Sequence, residues 1–319
     1  MHVNTAAIYV KEVIKVQYHD FALDWLDFKR FEVRTSTHEA LQIYVQKHLI
    51  PNFGCYELSE ITPEMCYNYM IADLQQYSHV TVKKHLSVLR QSLNDAVCRG
   101  LIERSPMASL RMPRTPERYL ERHVFMSVED AKILLAGLKG EWLYPVVLVT
   151  LLYGLRRSEV LGLKWDAVDF RRNTITIRHT VVKFSSVVAA DAVKSDHSYR
   201  TYDILPEVRQ VLEELPRTNE YIFTRDGQLL RPDCLTRAFK RALVRLALPP
   251  MRFHDLRHST ASILFDAGWS LEDVREWLGH SDIETTSNIY VHYSRRRKVL
   301  VGSSLSSLFA EEDKKRAQQ

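Results

Sequence analysis

Arg252-Phe-His-Asp-Leu-Arg-His258, followed by Leu278-Gly-His280 and then Thr285-Thr-Ser-Asn-Ile-Tyr290-Val-His-Tyr293, is the stretch from which the rest of the chain can be read. His254 and Arg257 stand three apart in a helical pattern, which sends both side chains from one helix face. His280 follows a glycine, and Tyr290 closes a polar run. Two acid–base groups, a permanent cation and a phenol hydroxyl suit attack on a phosphodiester.

An upstream half matches it: Leu151-Leu-Tyr-Gly-Leu-Arg156-Arg-Ser-Glu159-Val-Leu-Gly-Leu163. Arg156 follows a glycine able to end one helix, and an acid at the spacing of Glu159 can hold a guanidinium in one orientation. Between the halves, Thr174 to Leu205 is rich in β-branched residues and reads as short strands of one small sheet. Lys194 precedes Ser195, Ser198 and Arg200 there, where a hairpin could lift a lysine into a groove.

Up to about Gly100 the pattern is helical. Phe21, Trp25, Leu26 and Phe28 give the first helix an apolar face. Thr35 or Ser36 opens a second helix, through Ala40, Leu41, Tyr44, Val45 and Leu49, which Ile50-Pro51-Asn52-Phe53-Gly54 should stop. Thr62-Pro63-Glu64 reads as an N-cap with proline at the first helical position. A fourth helix runs from about Ser78 to Arg99, through Val82, Leu86, Leu89, Leu93 and Val97, and ends at Gly100. Pro106, Pro113 and Pro116 lie among Arg and Glu in 104–123, an extended connection and the expected domain boundary. Ser127-Val-Glu-Asp130 supplies the next helix start. After Pro206 the helical pattern returns to the C-terminus.

The 319 residues allow two domains, each with its own core. With 45% apolar and 26% charged residues, neither disorder nor a fibrous chain is indicated. A net charge of +5 and a pI near 8.9 permit a nucleic-acid partner without demanding one. Basic runs sharpen that reading: Arg111, Arg114, Arg118 and Arg122 in the connection, and Arg295-Arg-Arg-Lys298 near the end. Cys55, Cys66, Cys98 and Cys234 are scattered with no Cys-x-x-Cys pair, against zinc ribbons and disulfide frameworks and in favour of a reducing cytosol. The N-terminus lacks a signal-peptide pattern. The apolar run Tyr144 to Tyr153 contains a proline, is too short to span a bilayer, and reads as a buried helix.

Gly-Leu-Arg-x-x-Glu, the hairpin lysine, His-x-x-Arg-His, Leu-Gly-His and the late tyrosine occur here in one order. In that order they resemble the tyrosine recombinase, or phage integrase, family over nearly the whole chain. Leu-Gly-His-Ser-Asp-Ile-Glu-Thr-Thr-Ser-Asn-Ile-Tyr is most similar to integrases of phages and conjugative transposons of Gram-positive bacteria. The resemblance implies a mainly α fold with a small antiparallel β-sheet. A helical core-DNA-binding domain (1–105), a basic linker (106–123) and a mixed α/β catalytic domain (124–319) would clamp duplex DNA.

It also implies roles. Tyr290 would attack the scissile phosphate, forming a 3′-phosphotyrosyl bond and freeing a 5′-hydroxyl. His254 would take the phenol proton, because a phenol with a pKa near 10 is a poor nucleophile at neutral pH. Arg156 and Arg257 would grip the non-bridging oxygens, His280 would donate another hydrogen bond, and Lys194 would protonate the leaving oxygen. Losing one such donor costs roughly 3–4 kcal/mol of transition-state stabilisation. The Gly-Leu-Arg-x-x-Glu spacing selects Arg156 over Arg157 and gives Glu159 a supporting place. Tyr293 is the rival nucleophile and Lys183 the rival lysine. No metal or nucleotide is required.

The implied activity is site-specific recombination through a Holliday junction, integrating and excising a mobile element. A homotetramer on two paired double-stranded DNA sites would carry it out, with an accessory excision factor as a further partner and no membrane. Cytoplasmic action in a bacterium follows. Rival readings are type IB topoisomerase-like relaxation and a protein that only occupies or bends a site. DNA phosphates would meet Lys83, Lys84 and Arg90, the linker Arg111 and Arg114, and Arg237, Lys240, Arg241 and Arg245. The core-binding pattern starts near Tyr18, leaving too little chain for an N-terminal arm-site domain, so either that domain is lacking or the sequence is a piece of a longer chain. An amphipathic segment from about 298 would dock on a neighbouring protomer or on its own domain.

Overall fold

The computed structural model describes residues 15–113, 125–184, 187–192 and 199–279. The chain divides into two compact units, 1–121 and 122–319.

The first unit is helical. Its elements are α1 (Tyr18–Glu32), α2 (Thr35–Tyr44), α3 (Ile50–Phe53), α4 (Pro63–Gln76) and α5 (His79–Cys98). Tyr18, Phe21, Ala22, Trp25 and Leu26 form the buried stripe of α1. Phe28 follows Trp25 by three residues but falls at the edge of the stripe and is 49% exposed, with the Arg99 guanidinium over its ring at 5.7 Å. Trp25 Nε1 donates to Asp95 Oδ2 at 2.6 Å, tying α1 to α5 at the edge of this core. Caps appear where the sequence placed them: Thr62 Oγ1 accepts from Met65 N, and Ser78 Oγ from Thr81 N.

The second helix ends inside that run, at Phe53 with Gly54 as its C-cap, but Pro51 itself is carried within it. The backbone passes from α2 through a π-helical segment, Val45–Leu49, into α3, which carries Pro51 in its first turn. A proline ring collides with the carbonyl four residues earlier, here Lys47, so the turn ahead of it widens instead of ending. Val45 and Leu49 stay in the core across the wide turn.

The second unit wraps helices around short strands: α6 (Val128–Leu138), α7 (Leu143–Tyr153), α8 (Arg157–Leu161), α9 (Pro206–Glu214), α10 (Pro232–Arg245), α11 (Asp255–Asp266) and α12 (Leu271–Leu278). The Ser127/Asp130 capping box starts α6. α7 is apolar all round and nearly all buried, with Pro145 harmless in its first turn. Among the described residues no helix is long and apolar enough to cross a membrane.

The strands form more than one sheet. β1 (Val168–Asp169), β2 (Thr174–Ile177) and β5 (Arg200–Asp203) make an antiparallel sheet in the order β1-β2-β5. β3 (His179–Phe184) and β4 (Val187–Ala192) pair separately as a hairpin. A third pairing joins β6 (Thr224–Arg225) and β7 (Gln228–Leu229), inside the region read from sequence as helical. Asp226 (φ 53°) and Gly227 (φ 73°) make its turn, the Asp-Gly pair that two-residue hairpins favour.

Candidate active site

Glu159 organises the centre of the second unit. α7 ends at Gly154, whose left-handed backbone (φ 60°) turns the chain away. A Cβ on Gly154 would stand 2.1 Å from Leu278 Cδ2, so both the conformation and the space require glycine. Two residues on, Arg156 caps α8, and Glu159 occupies its third helical position. The Arg156 backbone N–H donates to Glu159 Oε2 at 2.8 Å, and Arg156 Nη1 to Oε1 at 2.6 Å. The acid therefore caps a helix and orients a guanidinium at once.

Two further guanidinium groups converge on this carboxylate. Arg200 on β5 reaches it with a fork, Nη2 to Oε2 at 2.8 Å and Nη1 to Oε1 at 3.3 Å. Arg257 Nη1 on α11 lies 3.9 Å from Oε2. Arg257, 1% exposed, donates through Nη1 to Gly154 O and through Nη2 to Leu278 O, both at 2.7 Å. It thus ties the end of α7 to the end of α12, where helix dipoles favour a cation. Burial pushes the Glu159 carboxyl up, but Arg200 and then Arg156 and Arg257 outweigh that and hold it at about 2. Burial and the like charge of Arg156 pull Arg257 down, against Glu159. A guanidinium remains charged even so. Three guanidinium groups facing one carboxylate leave surplus positive charge, and Arg156 is the one with an accessible side chain.

His254 stands at the N-cap of α11, one turn before Arg257. Although the residue is exposed, desolvation on the side that faces the protein lowers its pKa, and the charges of Arg257 and Arg156 lower it further. A neutral imidazole is thereby favoured, as a proton acceptor requires. Its ring meets His258 edge-on at 5.1 Å.

The structure thus brings together Arg156, Glu159, Arg257 and His254. Lys194, His280 and Tyr290, with the rival Tyr293, lie outside the described residues. β4 ends at Ala192 before Lys194, and α12 ends at Leu278 before His280. Lys183 lies on β3, opposite Val188. Arg200 was not singled out from sequence. Its signal is the alternation in β5, where Arg200 shares a face with the buried Tyr202. Arg200 Nε donates to Tyr202 Oη at 2.5 Å, and that hydroxyl donates to Trp277 O.

Of the proposed phosphate contacts, Lys83, Lys84 and Arg90 lie on α5 with outward positions, and Arg111 is exposed. Arg90 Nη2 donates to Leu110 O at 2.9 Å, so its guanidinium also pins the chain that follows α5. Arg114 lies outside the described residues. Arg237, Lys240 and Arg241 share an exposed face of α10 at i, i+3 and i+4 spacing. Arg245 is engaged with Glu141 at 2.6 Å and with Gly137 O.

Residues 125–297 match the model of the phage integrase family, and residues 18–72 match that of the phage integrase N-terminal SAM-like domain. Among similar proteins is a tyrosine recombinase XerC-like protein of Caldanaerobacter subterraneus subsp. tengcongensis. It is 29% identical over 269 residues, spanning 74% of this chain and 68% of that one. The ICEBs1 integrase of Bacillus subtilis is 24% identical over 281 residues, spanning 80% and 73%. In fold, the chain resembles the Tn1549 transposon integrase in complex with transposon right end DNA, with a TM-score of 0.74 at 18% identity, covering 86% of this chain and 95% of that one. A lambda integrase tetramer bound to a Holliday junction gives 0.68 at 15% identity, covering 86% and 78%.

Proposed function

The chain belongs to the phage integrase family, and from that premise we propose that it is a site-specific recombinase of a mobile element. It would cut and rejoin DNA strands through a 3′-phosphotyrosyl intermediate and a Holliday junction. The observation that carries this reading is the convergence of Arg156, Arg200 and Arg257 on the buried Glu159, with a neutral-leaning His254 one turn from Arg257. An accessible Arg156, oriented by a buried carboxylate and backed by two further guanidinium groups, suits the charge of a pentacoordinate phosphorane.

In the proposed step the Tyr290 oxygen bonds to phosphorus while the P–O5′ bond breaks. His254 takes the phenol proton, Lys194 supplies one to the departing 5′-oxygen, and Arg156 and His280 meet the non-bridging oxygens, with Arg257 reaching them only when its Nη atoms leave Gly154 O and Leu278 O. The phosphodiester energy is kept in the protein–DNA bond, so rejoining needs no nucleotide, and arginines take the neutralising part a metal plays elsewhere. Residues 1–105 would bind the core site, 106–123 would link, and 124–319 would carry the chemistry. The tail from 298 would contact a neighbouring protomer in a tetramer on double-stranded DNA. The relatives that are integrases, together with the tetrameric lambda integrase on its junction, support this assembly.

The deciding test is strand exchange between two labelled duplexes carrying the element's ends. Joined recombinant strands that need both sites support the proposal. Relaxation of a supercoiled circle with no dependence on a second site would mark a topoisomerase instead.

A further inference from the structure

Away from the arginine cluster, inside the first unit, two imidazoles and a carboxylate meet. His85 on α5 and Asp73 on α4 are buried, and His85 Nδ1 bonds Asp73 Oδ2 at 2.7 Å. His48 comes from the π-helical segment Val45–Leu49 and stacks on His85, ring centroids 4.0 Å apart and planes 27° apart. The ligand atoms of His48, Asp73 and His85 all lie within 4.8 Å of one another. Tyr77 meets both imidazole rings edge-on, at 5.4 and 5.5 Å, and Tyr44 packs at 5.3 Å from His85.

We propose that His48, Asp73 and His85 bind one divalent transition-metal ion of zinc-like preference, which staples the wide turn to α4 and α5. Three observations converge on it. The donor set, two imidazoles and one carboxylate, suits zinc or a similar ion and leaves a fourth position for water. Tetrahedral bonds of about 2.0–2.1 Å separate ligand atoms by roughly 3.3 Å, so closing from within 4.8 Å requires the His48 ring to leave its stack on His85 and turn a nitrogen toward the Asp73 carboxylate. The third is the wide turn that Pro51 imposes, for π-turns concentrate at functional sites, and this one carries His48. Burial and the nearby His85 also lower the His48 pKa, which keeps its nitrogen available. The rings of Tyr44 and Tyr77 flank the cluster, and His48 on the rim is the least buried of the three. The ion would stabilise the fold and take no part in strand transfer.

The test uses the full chain, stripped with chelator, reduced, and titrated with Co²⁺ and then Zn²⁺. One equivalent of Co²⁺ should bind, with the visible bands of a four-coordinate nitrogen and oxygen site and no thiolate charge-transfer band, and Zn²⁺ should displace it. Saturating Zn²⁺ should raise the unfolding midpoint by about 5 °C or more. His48→Phe keeps an aromatic ring on His85 without a ligand atom. It should melt like the metal-free parent yet lose the saturable titration and the zinc-dependent rise. Absence of saturable binding in the parent, thiolate bands in its spectrum, or a His48→Phe titration equal to the parent's would each overturn the proposal, leaving a proton-sharing His85–Asp73 pair.

Discussion

Glu159 shows what one buried charge does for its surroundings. Its side chain is almost fully enclosed, and without it Arg156, Arg200 and Arg257 would face one another unscreened. Removing one member of a buried ionic group costs about 3–5 kcal/mol, because the others stay buried and unpaired. Glu159→Gln should therefore lower the unfolding midpoint sharply. In a double-mutant cycle with Arg200→Met, the two losses should fall well short of adding. The sign of the pH effect follows from the depressed pKa. Stabilisation is complete above the ordinary glutamate value of 4.5 and is lost as pH falls toward about 2, where the folded carboxyl takes up its proton. Acid unfolding of Glu159→Gln should show a correspondingly flatter dependence between those values. Arg156, Glu159, Arg257 and His254 were legible in sequence because each sits in a local motif of fixed spacing. Arg200 escaped because its partner lies on another element, and the His48–Asp73–His85 cluster escaped for the same reason, drawn from three separate helical segments.

At the scale of elements, local chemistry read well wherever a single residue type sets the backbone. The Thr62, Ser78 and Ser127 caps, the Gly154 turn and the apolar α7 follow from short-range rules. The run around Pro51 does end the helix, at Phe53, while the proline's own penalty is met by a wider turn that keeps Val45 and Leu49 in the core. The short strands misled: β-branched runs announce extension but not which strand pairs with which. α10 gives the prediction at this scale. Its exposed face of Arg237, Lys240 and Arg241 should contribute to DNA binding through phosphates. Lys240→Ala and Arg241→Ala should each weaken binding similarly across sequences and reduce the salt slope by about 1. Arg245→Ala, whose guanidinium is held by Glu141, should change the slope less and the melting temperature more.

For the whole molecule, the hydrophobic clusters among the described residues fall on one side or the other of 121/122, one in the first unit and two in the second. Fragments 1–121 and 122–319 should each unfold cooperatively when expressed alone, as calorimetry would show. A fragment that melts without a transition would mean its core depends on the other unit. The six side chains assigned to strand transfer all belong to the second unit's sequence, so the first unit should supply affinity and not chemistry. The most direct measurement is a suicide-duplex reaction, with a nick placed to release the 5′-hydroxyl strand, run in chelator and without nucleotide. A covalent protein–DNA adduct should form with the parent and with Tyr293→Phe, and be absent with Tyr290→Phe. An adduct that survives Tyr290→Phe, or none from the parent on its own element's ends, would contradict the assignment of the phosphate-attacking group.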